Sequence, residues 1–393
     1  MRIAIVGAGL GGLVAAITLR RAGFEATVFE QKNAFEQDGA GIQVGPNAVK
    51  VLRALDLDAG LERFGAMPEH HIGRSWKTGR MLFKSATKAT CLEQFGAAFY
   101  LVQRSDLHAH LRQALPTEVI RLGERCESVD PTTNTLHFAD GTETFDAIVG
   151  ADGIHSTVRD CLVGPVVPRF TGVICWRGQA AADRLPKRLI GPDPVKWMGP
   201  GGCIFHYYVR PGELVNWIAH RTSEVSADES WSLERDREEV VRAFHGWHPS
   251  LITLMGATEH CYKWAIFDRE QLPKWSEGCV TLLGDAAHPM PPFLAQGGAM
   301  AMEDGYMLAE SLKASAEDIP GALHRYEALR RPRTARVQLS SRASAEMCQV
   351  ASPWKALKRD VGYLYNQWFN RGAAVRNADW MYEYDVAKQM RPL

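Results

Sequence analysis

The chain has 393 residues, of which 46% are hydrophobic and 23% are charged, as expected of a globular protein with two or three domains. Lys and Arg total 45 and Asp and Glu total 45, so the balanced charge predicts neither a nucleic-acid nor a membrane partner. The 8 cysteines show neither CxxC nor Cys/His spacing, which predicts reduced thiols, no metal site and a cytoplasmic location.

Residues 1–30 predict a dinucleotide-binding βαβ unit. The pattern is an apolar strand over residues 2–6, the turn Gly7-Ala8-Gly9-Leu10-Gly11-Gly12, a helix over residues 13–22, and a strand over residues 25–29 that ends at Glu30. Gly7 permits the turn, Gly9 leaves room for a pyrophosphate, and Gly12 lets the helix approach the sheet. The helix N-terminus favours phosphate, and Glu30 is placed to bind a ribose.

The same stretch has an alternative interpretation, because residues 3–19 are mostly apolar and could form a leader or a membrane span. Glycines interrupt this run repeatedly, and a span requires roughly 20 apolar residues. A strand with polar flanks also follows at once. We therefore favour the nucleotide-binding unit.

Two features follow in the next hundred residues. Gly39, Gly41 and Gly45 mark a tight backbone segment that we expect to lie against a flat ligand. Arg104 precedes a helix predicted over residues 108–115. Its guanidinium could reach a phosphate or a flavin edge, or it could lie on the surface, and the spacing does not separate these alternatives.

A second glycine-rich turn comes after three short strands. Residues 124–129, 135–138 and 144–149 predict a β-meander, with turn signals between the strands. The last strand continues into a turn that contains Asp152 and Gly153. The turn could bind a ligand or be an ordinary loop.

The composition of the chain changes between residues 170 and 267, where aromatic residues become frequent. Strand-like runs alternate with turns, and two helices are predicted near residues 234–245 and 249–255. This pattern predicts an antiparallel sheet that covers the nucleotide-binding domain. We expect most of the aromatic side chains to lie in its core.

A third turn follows a buried strand predicted over residues 278–283. It begins with Gly284-Asp285 and continues through several prolines, which lack N–H groups and fix the backbone. Helices are predicted over residues 299–312 and 321–349, and the tail is predicted to be helical at first and then irregular.

The three turns, in this order, resemble those of the single-component (group A) FAD-dependent aromatic hydroxylases, over about residues 3–333. The branch with 3-hydroxybenzoate, 6-hydroxynicotinate and salicylate hydroxylases is the most similar. The resemblance implies a mixed α/β fold like that of p-hydroxybenzoate hydroxylase, with a Rossmann-like FAD-binding domain, an interleaved antiparallel-sheet substrate domain and C-terminal helices. The implied boundaries are residues 1–70, 100–168 and 272–345 for the FAD-binding domain, 71–99 and 169–271 for the substrate domain, and 346–393 for the C-terminal helical segment.

The resemblance also implies which residues bind FAD. Gly7, Gly9, Gly12 and Glu30 would hold its ADP half, and Arg104 would contact the diphosphate or the ribityl chain. Asp152 and Gly153 match a motif linked to FAD and to NAD(P)H. Asp285 would bind the ribityl hydroxyls, Pro289 would lie beside the isoalloxazine, and the helix that starts near Gln296 and Gly297 would point its N-terminus at the flavin.

The implied function is hydroxylation of a small aromatic acid of the hydroxybenzoate, salicylate or hydroxynicotinate type. NADH or NADPH would reduce FAD, and O2 would form a flavin C4a-hydroperoxide that attacks the ring. An oxidase or dehydrogenase without hydroxylation is an alternative, against which the Asp152 and Asp285 motifs argue. A nucleotide-binding regulator without turnover is a third interpretation. The protein is expected to be a monomer or a homodimer.

The substrate is expected to lie between the flavin and the aromatic-rich sheet. Tyr207 and His206 are the candidates for activating a phenol. Neighbours on one strand point to opposite faces, so we expect at most one in the pocket and favour Tyr207. For each, a core position remains an alternative. The expected lining residues are Gln43, Cys203, Phe205, Pro292 and Phe293.

Overall fold

The computed structural model describes residues 1–35, 40–224, 234–348, 350, 352–369 and 379–389. The predicted irregular part of the tail and the glycine-rich segment at Gly39 therefore fall partly outside the described residues. Within the described ranges, no helix combines the length and the apolar character that crossing a bilayer requires.

The strands are β1 (Arg2–Val6), β2 (Glu25–Glu30), β3 (Gly41–Val44), β4 (His70–Ser75), β5 (Met81–Ala86), β6 (Tyr100–Gln103), β7 (Ile120–Leu122), β8 (Ser128–Asp130), β9 (Thr135–Phe138), β10 (Gly141–Thr144), β11 (Ala147–Gly150), β12 (Arg169–Ala181), β13 (Val195–Gly199), β14 (Gly202–Arg210), β15 (Leu214–Thr222), β16 (Glu234–Arg235), β17 (Cys261–Asp268), β18 (Ser276–Glu277) and β19 (Val280–Leu282).

The helices are α1 (Leu10–Arg21), α2 (Pro46–Ala54), α3 (Leu61–Phe64), α4 (Lys88–Phe95), α5 (Arg104–Arg112), α6 (Thr157–Val163), α7 (Arg237–Ala243), α8 (Pro249–Gly256), α9 (Gly297–Ala314), α10 (Ile319–Cys348) and α11 (Pro353–Phe369), followed by the short helices Asp379–Tyr382 and Val386–Gln389.

A six-stranded sheet in the order β18-β19-β11-β1-β2-β7 forms the first layer. β1 pairs in parallel with β2 and with β11, so it lies in the middle of the sheet and is buried on both faces. α1 is buried from Leu10 to Leu19 because α9 packs on it. The two helix backbones are in direct contact, since a Cβ on Gly305 would lie 2.7 Å from the backbone oxygen of Gly11.

An eight-stranded sheet in the order β16-β17-β12-β15-β14-β13-β4-β5 forms the second layer. Its pairs are antiparallel except for β13 with β4. One face packs against α7 and α8, with Trp217, Phe244 and Leu254 in the core. The other face turns toward β6 and β3, where Tyr207 and Leu101 share a smaller core. Most of the aromatic side chains of this region are buried, as predicted.

The predicted mixed α/β fold is confirmed, and two local predictions are corrected. β8, β9 and β10 form the meander, whereas β11 leaves it and joins the six-stranded sheet. α5 begins at Arg104 rather than at His108, so Arg104 belongs to the first turn of that helix. The domain boundaries remain a prediction.

Three polar contacts join the eight-stranded sheet to the two-stranded sheet β3-β6 and to α5. The Gly41 N–H donates to Asn216 Oδ1 at 2.9 Å. The side-chain amides of Gln103 and Gln179 bond each other reciprocally, at 3.3 and 2.6 Å. Arg210 and Asp106 form a two-pronged salt bridge at 3.0 and 2.9 Å. The strands β3 and β6 and the start of α5 are therefore held against one face of the eight-stranded sheet.

Candidate active site

A cavity of about 430 Å³ opens at the carboxyl ends of β1, β2 and β11. Its lining includes the predicted residues Gly7, Gly9, Glu30, Arg104, Asp152 and Gly153. The Glu30 carboxylate accepts from the N–H of Ala8 at 3.1 Å and of Lys32 at 3.0 Å, which fixes it at the rim. The structure thus brings together the residues predicted for the ADP half of a dinucleotide.

The glycines of the first turn have different surroundings. Gly7 has a φ of +108°, which L side chains rarely adopt. A Cβ on Gly12 would overlap the carbonyl oxygen of Gly7 and lie 3.3 Å from Ala151 Cβ. A Cβ on Gly9 would meet nothing within 4 Å, because it would point into the open cavity. That free path beside the α1 N-terminus fits a pyrophosphate.

The second turn is organised by Asp152. Its carboxylate accepts from Ser156 Oγ at 2.5 Å and from the Val158 N–H at 3.1 Å, so it ties the turn to the start of α6. Burial raises the pKa of Asp152, although these hydrogen bonds oppose the shift. Gly153, at a φ of +78°, leaves open space toward the cavity. Asp152 therefore shapes the cavity wall through its own loop.

Asp285 lies in the short 3₁₀ turn Gly284–Ala286 after β19. Its side chain is exposed, but into a recess enclosed by protein, and this desolvation raises the pKa of Asp285. His288 and Arg104 oppose that shift, which places Arg104 within electrostatic reach of the carboxylate. A Cβ on Gly297, the first residue of α9, would lie 3.9 Å from Asp285 Oδ1. A ligand with hydroxyl groups would satisfy this carboxylate.

The proline-rich segment is fixed from behind. The Pro289 carbonyl accepts from Gln338 Nε2 at 2.8 Å, and the Pro291 carbonyl accepts from Ser341 Oγ at 2.5 Å. Gln296 is buried, and its Oε1 accepts from Asn47 Nδ2 at 3.0 Å. Gln296 therefore supports the helix N-terminus through its side chain, while α9 directs its first N–H groups toward the recess.

A buried ionic cluster behind this segment was missed by sequence reasoning. Arg330 bonds Glu303 at 2.7 Å and Asp304 at 2.6 Å, with all three side chains fully buried. Arg333 adds a second cation on Glu303, and His288 bonds Asp304 at 2.5 Å. Burial alone would raise the pKa of Asp304, but His288 and Arg330 outweigh it and lower the pKa to about 2. The sequence signal that could have revealed this cluster is the pair Glu303 and Asp304 on the otherwise mostly apolar α9.

His206 and Tyr207 are separated by the sheet. Trp197 Nε1 donates to His206 Nε2 at 3.0 Å on the face covered by α7 and α8. This corrects the prediction of a catalytic His206, because the side chain lies away from the site. Tyr207 faces the other way, and a Cβ on Gly41 would lie 2.7 Å from its hydroxyl oxygen.

The face that carries Tyr207 also carries Cys203 and Phe205, because alternate residues of β14 share a side. The Phe293 ring reaches this face from the 3₁₀ turn Pro292–Leu294, and its centroid lies 5.0 Å from that of His220. Gln43 lies on β3, two residues after Gly41. The structure therefore places the predicted lining residues on β14, on β3 and on the 3₁₀ turn Pro292–Leu294, which border the same face of the eight-stranded sheet.

Four polar residues on the sheet face that carries Tyr207 were not identified from the sequence. His220 pairs across the strands with Cys203, and Asn216 pairs with Tyr207. Lys196 pairs with Phe205, and Arg177 pairs with Ile218, so both cations share the face. The strand register that aligns them is not readable from a single sequence.

The chain matches the family model described as FAD binding domain over residues 1–341. It is 44% identical over 344 residues to 3-amino-4-hydroxybenzoate 2-monooxygenase PtnB3 of Streptomyces platensis, with 87% of each chain covered. It is 39% identical over 344 residues to 6-hydroxynicotinate 3-monooxygenase of Pseudomonas fluorescens, which covers 86% of this chain and 89% of the other.

Among solved structures, Klebsiella pneumoniae HpxO complexed with FAD and uric acid matches with a TM-score of 0.86 and 25% identity, over 98% of this chain and 96% of that chain. The rim carboxylate of Glu30, the open path at Gly9 and the recessed Asp285 have the chemistry that a ribose, a pyrophosphate and a ribityl chain require. The chain therefore belongs to the single-component FAD-dependent aromatic hydroxylases, and FAD is its cofactor.

Proposed function

We propose that the protein hydroxylates a small aromatic acid that carries a ring hydroxyl, with NADH or NADPH as reductant and O2 as oxidant. The observation that carries this proposal is the wall opposite the FAD recess. It combines the rings of Phe205 and Phe293 with the hydroxyl of Tyr207 on one sheet face. Such a wall suits a flat apolar ring with a few polar substituents.

When bound, FAD supplies hydride acceptance from NAD(P)H and the activation of O2. The protein's own residues orient and shield it. Asp285 would bind the ribityl hydroxyls, and the N-terminus of α9, which begins beside it, would offer positive potential. The prolines at 289 and 291 lack N–H groups, and their carbonyls are held by Gln338 and Ser341, so this rigid segment would shield the ring from water.

Tyr207 is the proposed group for the substrate hydroxyl. Burial raises the pKa of Tyr207, so its hydroxyl stays protonated at neutral pH and can donate to a phenol oxygen. That hydrogen bond would hold the oxygen that activates the ring. Because Gly41 has no side chain, the hydroxyl lies directly beside β3 and not beneath a bulky residue.

The proposed substrate class is a hydroxybenzoate type, and 3-amino-4-hydroxybenzoate is the first compound to test. The relative at 44% identity is named for that compound. Arg177 and Lys196 add positive charge to the sheet face, which favours a carboxylate. We further propose a cytoplasmic monomer or homodimer, whose size gel filtration would determine.

The test is a panel of aromatic acids with the FAD-loaded enzyme. The acids are 3-amino-4-hydroxybenzoate, 3-hydroxybenzoate, salicylate and 6-hydroxynicotinate, each with NADH and with NADPH. We expect one acid to accelerate NAD(P)H oxidation and to gain one oxygen from labelled O2, measured by mass spectrometry. NAD(P)H oxidation that yields only H2O2 with every acid would instead support an oxidase.

A further inference from the structure

We propose that His220 is a substrate-contacting residue whose Nε2–H donates a hydrogen bond to the carboxylate of the aromatic acid. The inference rests on the proposed function for the kind of ligand. It adds a specificity-determining residue to the proposed site.

His220 lies at the centre of the eight-stranded sheet on the face toward the FAD recess. It pairs with Cys203 on β14 and with Cys175 on β12. Phe293, from the proline-rich segment, packs against its ring with centroids 5.0 Å apart. The imidazole therefore lies where the substrate sheet meets the segment beside the flavin.

The two ring nitrogens of His220 differ in their surroundings. Nδ1 lies 3.6 Å from Cys203 Sγ. Nε2 is buried and has no hydrogen-bond partner in the described part of the chain, and the whole residue is only 6% exposed. Buried polar atoms are normally paired, so an unpaired one beside the proposed substrate site suits a bond that a ligand completes.

The side of His220 that faces β12 and β17 is apolar. Val173, Trp264 and Ile266 form a small core on this face, and Ile218 and Phe293 pack against it. A binding site typically has a few polar groups on such a surface, and these fix the orientation of the ligand. His220 supplies one such group.

The Cys203 thiol determines which nitrogen of the imidazole carries the proton. Imidazole nitrogen is a better acceptor than sulfur, so we assign the Cys203 S–H as the donor to Nδ1. Nδ1 then has the lone pair, and Nε2 has the hydrogen. Burial and the nearby Lys196 lower the pKa of His220 to about 3, so the ring is neutral with one N–H to offer. The substrate group must therefore be an acceptor.

The distance between His220 and Tyr207 indicates which substituent of the ring His220 would bind. Cys203, beside His220, lies four residues from Tyr207 along β14, about 13 Å at the usual rise per residue. Two side chains that approach from these points reach opposite ends of a single ring. If Tyr207 binds the hydroxyl, the acceptor at the far end is a carboxylate in para position, as in 3-amino-4-hydroxybenzoate.

The experiment measures binding to the FAD-loaded protein through the absorbance change of the flavin, without NAD(P)H. The probes are 3-amino-4-hydroxybenzoate and three analogues that each lack one substituent: 2-aminophenol without the carboxylate, 4-hydroxybenzoate without the amine, and 3-aminobenzoate without the hydroxyl. Each is titrated against the wild type, His220→Leu and His220→Gln. Loss of the carboxylate should raise the dissociation constant for the wild type, and we call this ratio of dissociation constants the carboxylate penalty. The penalty should be about tenfold smaller in His220→Leu.

His220→Gln should restore most of the penalty, because its amide N–H can occupy the position of Nε2. His206→Gln is the matched control on the opposite sheet face and should change none of the penalties. Flavin content and melting temperature confirm that each variant is folded. Coupling of His220 to the amine or the hydroxyl instead, or to no substituent, would overturn the proposal.

A second pair of variants tests the role of the thiol as a positioning group. Cys203→Ser keeps a donor to Nδ1 and should keep the carboxylate penalty. Cys203→Ala removes the donor, and we expect the penalty to fall several-fold as the imidazole loses its fixed tautomer. Equal penalties in the two variants would refute this step. Because the readout is binding, failure of hydroxylation alone would refute the proposed function and leave the contact testable, whereas absence of binding by all four probes would refute both.

Discussion

Tyr207 and His206 are consecutive residues of β14 that lie on opposite faces of the eight-stranded sheet. The Tyr207 hydroxyl lies against Gly41 on the side of the FAD recess, whereas His206 accepts a hydrogen bond from Trp197 at 3.0 Å on the side of α7 and α8. The choice that the sequence left open is thus a matter of sheet geometry.

Replacing Tyr207 by Phe is expected to uncouple the reaction. The aromatic ring stays, so packing changes little, but the proposed hydrogen bond to the substrate hydroxyl is lost. Hydroxylation should slow by about 10²–10⁴-fold, as for the loss of acid–base assistance. A larger share of the NAD(P)H consumed should appear as H2O2, measured together with product. His206→Gln is the control, and uncoupling in that variant but not in Tyr207→Phe would contradict the assignment.

Gly9→Val should abolish FAD binding while the protein still folds. Gly9 has φ −69° and ψ 177°, which valine adopts readily, and a Cβ there meets no protein atom within 4 Å. The side chain would fill only the path of the pyrophosphate. Gly12→Val is the contrasting variant, because its side chain would collide with the Gly7 carbonyl and disrupt folding. Circular dichroism and the flavin spectrum measure the two effects, and normal flavin content in Gly9→Val would disprove the assignment of the turn.

Asp285→Ala should weaken FAD binding more than it weakens the fold. Desolvation raises the pKa of Asp285, so the carboxylate is held in an unfavourable setting that ribityl hydroxyls would relieve. Hydrogen bonds to a charged group contribute roughly 1.5–3 kcal/mol each, so the FAD dissociation constant should rise at least tenfold. The melting temperature of the flavin-free protein should hold or increase. A decrease with unchanged FAD affinity would identify a structural acid.

Arg330→Met should destabilise the protein strongly. The change leaves the buried carboxylates of Glu303 and Asp304 without the cation that bridges them. Removing one partner of a buried ion pair typically costs about 3–5 kcal/mol. Urea unfolding measures the loss. The neighbour Arg331, whose side chain is 40% exposed and pairs with Glu327, provides the control. Arg331→Met should cost less than about 1 kcal/mol, and equal losses would refute the cluster's role.

The free energy of unfolding should fall as the pH drops below about 6.5, the usual histidine value. Burial lowers the pKa of His71 to about 4 and those of His206 and His220 to about 3. Above pH 6.5 these histidines are neutral in both the folded and the unfolded chain, whereas at lower pH they take up protons only in the unfolded chain. Each histidine then adds a slope of about 1.4 kcal/mol per pH unit. Urea unfolding of His206→Gln should show a shallower slope, and an unchanged slope would contradict this account.

The nucleotide-binding half of the site was predictable because its signals are local. A strand, a glycine turn and a helix follow one another within the first 22 residues, and hydrogen bonds between near neighbours determine their geometry. The same holds for the turn at Asp152, whose carboxylate bonds the nearby Ser156 and Val158. Glycine and acid at fixed spacing are sufficient for such a prediction.

The substrate half was less predictable because it depends on register between distant strands. His220 meets Cys203 and Phe293 only when β14, β15 and the segment after β19 are aligned, and a shift of one residue would turn each strand residue to the other face. Arg330 is likewise far in sequence from Glu303 and Asp304. Hydrophobic periodicity does not encode such pairings.

The central position of β1 has a consequence for synthesis on the ribosome. One neighbour, β2, follows at once, but β11 ends at Gly150, and β19, which completes that side, ends at Leu282. α9, which covers the apolar surface of α1, emerges later still. The nascent chain therefore carries an unpaired strand edge and an uncovered apolar helix for most of translation. Such a chain is exposed to aggregation until its last third is made, and its flavin-binding turn is built first but becomes usable only near the end.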